Sequence, residues 1–137
     1  MPEKREIEIS IGKARFGVRL NETKTADRLL ASLPLRGDGD FWGEEIYFDV
    51  GVDLPEENPK AEVEVGDVAY WRPGTAICLF YGKTPASTSE KPRAASPVTV
   101  VGKLVGDPSR LKSLKDLRKI EVARRGGDFA RKPERAG

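Results

Sequence analysis

The stretch that most constrains this chain is residues 65–87, Val-Gly-Asp-Val-Ala-Tyr-Trp-Arg-Pro-Gly-Thr-Ala-Ile-Cys-Leu-Phe-Tyr-Gly-Lys-Thr-Pro-Ala-Ser. Two β-prone runs flank Arg72-Pro73-Gly74. Proline presets φ and glycine accepts φ > 0, which are the needs of the two central positions of a type II turn, here Pro73 and Gly74. Before the turn, Val68 and Tyr70 alternate with Ala69 and Trp71, the period of a strand with a core on one side. After it, residues 76–81 are continuously apolar, which suits a strand covered on both faces. A slip of one residue would bury Trp71 and expose Val68. The pattern therefore predicts a hairpin with Val68 and Tyr70 inward and Trp71 outward. Beyond Gly82 the character turns polar, and residues 83–96 read as a mobile Ser/Thr/Pro loop overhanging a binding surface.

The remainder of the chain repeats the strand signal. Ile7, Ile9 and Ile11 alternate with Glu6, Glu8 and Ser10; after Gly12-Lys13, the residues Ala14, Phe16, Val18 and Leu20 resume the apolar face, so residues 6–20 predict a β-hairpin. Residues 21–33 change period. Ala26, Leu29, Leu30 and Leu33 form one helical stripe, with Thr23 or Thr25 as N-cap and Pro34 as the stop, giving a helix over about 24–33. The run 37–40 reads as a loop. Ile46, Phe48 and Val50 then face one way while Glu45, Tyr47 and Asp49 face the other. An acidic, proline-broken loop over 53–59 precedes a short strand with Ala61, Val63 and Val65. Residues 97–105 make another strand, with Val98, Val100 and Leu104 on one face and Gly102 the expected place for a bulge. Asp107-Pro108-Ser109 opens a short helical turn over about 108–114, and residues 117–122 make a last strand. About eight short strands with little helix predict a closed antiparallel barrel. The organisation is one domain over 1–123, followed by a basic tail over 124–137 expected to be disordered.

Composition removes whole classes of function. The chain has no His and no Gln, a single Cys and a single Met, while 34% of its residues are charged. Ser-His and Cys-His catalysis are excluded along with the usual zinc sites; neither metal nor cofactor is expected. Cys78, between Ile77 and Leu79, is expected as a buried structural thiol. Few thermolabile residues and many charges are the pattern of hyperthermophile proteins, with biased genome composition as the alternative. No apolar run is long enough to cross a membrane as a helix, and the start of the chain has no signal-peptide pattern, so a cytoplasmic protein is the expectation. Charge is uneven: residues 1–106 carry 14 basic against 17 acidic side chains, and residues 107–137 carry 10 against 5.

Four pieces stand together in order: Leu30-Ala31-Ser32-Leu33-Pro34-Leu35, Trp42-Gly43-Glu44-Glu45-Ile46-Tyr47-Phe48, Gly66-Asp67-Val68-Ala69-Tyr70-Trp71-Arg72-Pro73-Gly74, and Leu79-Phe80-Tyr81-Gly82-Lys83-Thr84-Pro85-Ala86-Ser87. Over roughly residues 5–123 they resemble a cyclophilin-like family of archaeal and bacterial proteins of uncharacterised function. The resemblance implies a cyclophilin-type eight-stranded barrel, and it does not imply prolyl isomerase activity. Authentic cyclophilins place an Arg, a Gln, a His and aromatic residues in a hydrophobic groove, and two of those residue types are missing here. The run Arg125-Gly126-Gly127-Asp128-Phe129 is similar to a cyclophilin Q-G-G-D-F piece but sits at the wrong end of the chain, a coincidence.

The candidate site residues are Trp42, Tyr47, Trp71 and Tyr81, because Trp and Tyr combine apolar area with a hydrogen-bonding handle. The bland reading is that they fill or cover the barrel; by parity Tyr47 and Trp71 lie outside it. Arg72 beside Trp71 offers a planar donor fork, and Thr84 and Ser87 offer hydroxyl donors from the loop. Residues 38–49 match a calcium loop only at Asp38, Asp40 and Gly43, with Trp42 and Asp49 in place of required ligands, and that reading is rejected. The sequence leans to a non-enzymatic binding module for a small ligand or extended peptide in a groove outside the barrel. One alternative is a weak prolyl isomerase using Arg72; a second is a nucleic-acid accessory protein acting through the basic residues 110–135, although no nucleic-acid motif surrounds them. Neither a membrane nor a nucleic acid is the expected partner.

Overall fold

Strict alternation makes the first hairpin. In the computed structural model, which describes residues 5–125, β1 (Glu6–Ile11) and β2 (Ala14–Leu20) pair antiparallel with Ile7 opposite Val18 and Ile9 opposite Phe16. Gly12 takes φ +61° in the connecting turn, where glycine meets no steric penalty. The three isoleucines are fully buried, each worth about 1.5–3 kcal/mol relative to exposure. Helix α1 (Lys24–Ser32) follows: Thr23 is its N-cap, the hydroxyl accepting from the Ala26 N–H at 3.0 Å, and Ala26 and Leu29 are its buried face.

The remaining strands are β3 (Leu35–Gly37), β4 (Gly39–Phe41), β5 (Glu45–Asp49), β6 (Lys60–Glu62), β7 (Asp67–Trp71), β8 (Ala76–Phe80), β9 (Arg93–Leu104) and β10 (Ile120–Arg124). They form one antiparallel sheet in the order β3-β10-β1-β2-β9-β7-β8-β5-β4, with β6 added to β9. The expected closed eight-stranded barrel is corrected in both respects. Among the described residues there are ten strands, and no ladder joins the edges β3 and β4. These two are consecutive in the chain with only Asp38 between them, and one residue cannot reverse the chain into a hairpin. The 37–40 segment, expected as a loop, instead carries the backbone from one sheet edge to the other. A Cβ at Gly37 would lie 2.2 Å from the Asp49 carbonyl oxygen, and one at Gly39 would lie 2.7 Å from the Ile120 side chain. Glycine alone fits that passage.

Strand β9 has two roles. Its second half pairs with β7 and β2, while residues 93–98 pair with β6. Val68 pairs with Gly102 and Ala69 with Val100, so Val101 is the extra residue of a bulge. The bulge inverts the alternation: Val101 and Leu104 join the main core, whereas Val98 and Val100 belong to the opposite face. The expectation that Val98, Val100 and Leu104 share one face is thereby corrected. At Gly102 a Cβ would sit 2.5 Å from the Arg19 carbonyl oxygen, which explains the glycine.

The hairpin of residues 67–80 is present, with Val68 and Tyr70 inward. Tyr70 is fully buried yet satisfied, its hydroxyl donating to the Val52 carbonyl at 2.7 Å and accepting from the Leu54 N–H at 3.1 Å. The tip is not a type II turn. Residues Arg72–Gly74 form a 3-10 turn, and the left-handed position falls on Thr75 (φ 45°, ψ 44°). Its hydroxyl donates to the Asp49 carboxylate at the end of β5 at 2.5 Å, which anchors the turn across the β5–β8 pair. The short helical turn lies at Pro108–Ser113, capped by Asp107, as expected. Strand β10 starts later than expected and reaches Arg124; the tail beyond 125, with Arg131, Lys132, Arg135 and Phe129, lies outside the described residues. No helix among the described residues is long and apolar enough to cross a membrane.

Candidate functional site

A second apolar cluster occupies the face of the sheet away from the main core. Val63, Ala69, Cys78, Phe80, Ala94 and Val98 are buried there, with Tyr47, Trp71 and Val100 packed against them. It exists because β8 is apolar at every position, so one sheet face of that strand had to be covered by something other than the main core. The cover is the first half of β9, together with β6. Where Ala94 and Ala95 are too small to fill the space, a pocket of about 210 Å³ opens. Trp42, Tyr47 and Trp71 wall it, Val98 and the two alanines line the β9 side, and Glu45 completes it.

Local structure fixes each wall. Trp42 and Glu45 close the β4–β5 hairpin on each other: the Trp42 N–H donates to the Glu45 carbonyl at 2.9 Å and the Glu45 N–H to the Trp42 carbonyl at 3.2 Å. Gly43 sits between them at φ +62°, and a Cβ there would be 2.7 Å from Pro85. Trp71 lies on the outer parity, as its alternation with Tyr70 predicts. Its indole N–H donates to the Ser96 hydroxyl at 2.7 Å. A Cβ at Gly74 would lie 2.6 Å from the same ring, so Gly74 is needed for the tryptophan and not for a positive φ.

Glu45 is the unusual member. It is only 5% exposed, and its Oε1 is buried without a hydrogen-bond partner among the described residues. Burial pushes its carboxyl up from the ordinary 4.5 to about 7, and the nearby Cys78 thiol, a weak donor, offsets only part of that. Cys78 itself is buried, and desolvation followed by the Glu45 charge raises its thiol well above the usual value. It is a structural thiol, not a nucleophile.

The structure brings together Trp42, Tyr47 and Trp71 but not the other residues singled out from the sequence. Tyr81 is buried in the main core. The Arg72 guanidinium holds the Asp53 carboxylate at 3.0 Å, outside the pocket lining. The Thr84 and Ser87 hydroxyls serve the loop itself: Thr84 donates to the Arg93 carbonyl at 2.5 Å and Ser87 to the Lys91 carbonyl at 2.8 Å. Those bonds tie down the segment expected to be mobile, and its last four residues are part of β9. The stretch with calcium-loop spacing forms β4 and β5. Sequence reasoning missed Glu45, Ser96 and the β9 side of the pocket. Glu45 had a usable signal, since it shares the parity of Tyr47.

A model of the family described as cyclophilin-like matches residues 5–123. The chain belongs to the cyclophilin-like family. The solution structure of a hypothetical protein from Archaeoglobus fulgidus is similar to this cyclophilin-like chain, with 38% identity and a TM-score of 0.75, covering 90% of this chain and 97% of the other. No curated protein matches.

Proposed function

We propose that this cyclophilin-like chain is a binding module that takes a small ligand, or one side chain of an extended peptide, into the pocket on the outer face. Ligand sites are typically concave and mostly apolar, with a few polar groups that fix orientation. The outer-face pocket has that composition. Its volume of about 210 Å³ lies below the ~300–1,000 Å³ usual for drug-sized ligands, which restricts the occupant to a small molecule or a single side chain. The observation that carries the reading is Glu45: a carboxyl with an unpartnered oxygen, in an aromatic-walled pocket. Binding stands ahead of catalysis because Arg72, on which the isomerase reading depends, is engaged with Asp53 away from the pocket.

Trp42 and Trp71 are the only tryptophans in the chain, so their two indole N–H resonances report on this pocket alone. A fragment screen by ¹H–¹⁵N spectroscopy is expected to give saturable shifts of both. Trp71→Ala and Tyr47→Ala are expected to abolish binding in protein that remains folded. Hits that cluster on another face, or affinities unchanged in both variants, would refute the placement.

A further inference from the structure

We propose that the pocket recognises an organic cation, an alkylammonium group seated between Trp42, Tyr47 and Trp71 and paired with Glu45. This rests on the binding reading above and names the chemistry of the ligand. Three aromatic side chains line one small space, and a cation over a ring face gains from the ring quadrupole what its neutral isostere does not. Among the described residues the only charged one lining the pocket is Glu45, and no lysine or arginine lines it. An isolated carboxylate in apolar surroundings is poorly tolerated until a counter-charge arrives.

The neighbouring ionisable groups leave that role vacant. On β8 the Cys78 thiol stays neutral. On β4, Asp40 lies opposite Tyr47 on the same face and adds negative charge. Of the cations on adjoining segments, Lys91 holds Glu64 at 2.9 Å, Arg93 approaches Glu62 at 4.0 Å, Lys83 approaches Glu90 at 4.0 Å and Lys112 approaches Glu44 at 3.9 Å, while Lys60 on β6, opposite Val98, is exposed and outside the pocket lining. An incoming ammonium would therefore meet a net negative site. It would bind the ionised carboxylate, so affinity should fall by about tenfold from pH 8 to pH 6 as Glu45 takes up a proton.

Tryptophan fluorescence titrations test this with four probes: butyltrimethylammonium, n-butylammonium, the neutral isostere 3,3-dimethylbutan-1-ol, and the peptide Ala-Ala-Lys-Ala-Ala against capped lysine. The expected result is saturable binding of the cations, at least about tenfold tighter than the neutral isostere, with the tenfold loss between pH 8 and pH 6. Glu45→Gln should lose most of the cation affinity and all of its pH dependence; unchanged indole N–H positions would show that it is folded. A pentapeptide tighter than capped lysine identifies a peptide source, and equal affinities identify a free amine. If the isostere binds as well as the cations, or Glu45→Gln binds cations normally, the cation is overturned while the pocket stands. If no cation binds although neutral fragments shift both indole signals, the cation is likewise overturned. Fragments bound only elsewhere overturn the pocket itself.

Discussion

Replacing Glu45 with Gln should flatten the pH dependence of stability between pH 5 and pH 8. The folded chain holds the Glu45 proton up to about pH 7, whereas the unfolded chain releases it near the ordinary 4.5. A carboxyl whose folded value is raised binds its proton more strongly in the native state. Its stabilising contribution is full below about 4.5, declines as pH rises, and is gone above about 7. The gap between 4.5 and about 7, at ~1.4 kcal/mol per pH unit, corresponds to about 3 kcal/mol. The chain has no histidine, so no other ordinary side chain titrates in this window. The carboxylates with lowered values, such as Asp116 at about 2, act only at lower pH and in the opposite sense. The assay is urea denaturation from pH 5 to pH 8. Wild type should lose about 2.5 kcal/mol across the range, since part of the gap lies below pH 5, and Glu45→Gln should stay nearly level. The buried amide of Gln carries its own penalty, but that penalty does not depend on pH and cancels in the comparison. If both proteins fall in parallel, Glu45 does not titrate as its surroundings imply.

Three further outcomes follow from the packing. Gly102→Ala should destabilise by about 1–3 kcal/mol, because its Cβ would meet backbone at 2.5 Å; a loss below about 0.5 kcal/mol in urea denaturation would contradict the bulge geometry. Cys78 should react with a disulfide reagent only as fast as the chain opens, and stoichiometric labelling of native protein within seconds would show that it is not buried. Arg72→Ala should leave fragment affinity at the pocket unchanged, since its guanidinium faces Asp53; a large loss would return Arg72 to the site.

Sequence periodicity carried most of the local structure. The Ile7-Ile9-Ile11 alternation, the stripe and cap of α1, and the inward Val68 and Tyr70 with outward Trp71 all depend on spacing alone, and all are present. What failed needed tertiary information. Whether the sheet closes depends on where the chain crosses between edges, and the Gly37 to Gly39 step looks like any polar loop until its neighbours are known. Gly74 matched a turn template, yet its role is contact with the Trp71 ring. The bulge expected at Gly102 falls at the neighbouring Val101, but its inversion of the faces of β9 is something a fixed period of two cannot anticipate. In the site, parity placed Tyr47 and Trp71 correctly on the outer face, whereas Tyr81 was chosen for its side-chain type and belongs to the core. Glu45 was passed over because a charged residue on an outer parity is normally solvated. It is buried in a pocket that the first half of β9 lines from the other side.

The β9 lining links the fold to the site. A sheet strand that is apolar on both faces, as β8 is, requires a cover on each side. Helix α1 and the curled sheet cover one side, and β9 with β6 covers most of the other. The cover thins at Ala94 and Ala95, and the space left over is bounded by rings held in place by Ser96, Gly74 and the Trp42–Glu45 hairpin closure. Filling it with a leucine or methionine at position 45 would be the stabilising solution. An unpartnered carboxyl there costs about 3 kcal/mol when ionised, against the ~5–15 kcal/mol by which domains are stable. Among the described residues no donor stronger than a thiol acts on it, so its placement has no structural benefit that offsets this penalty. Under the proposed reading the benefit arrives with the ligand. Aromatic walls supply the contact area, and the carboxylate supplies the one charge that orients the occupant. The least stable feature of the outer face is then the one that gives the pocket its selectivity.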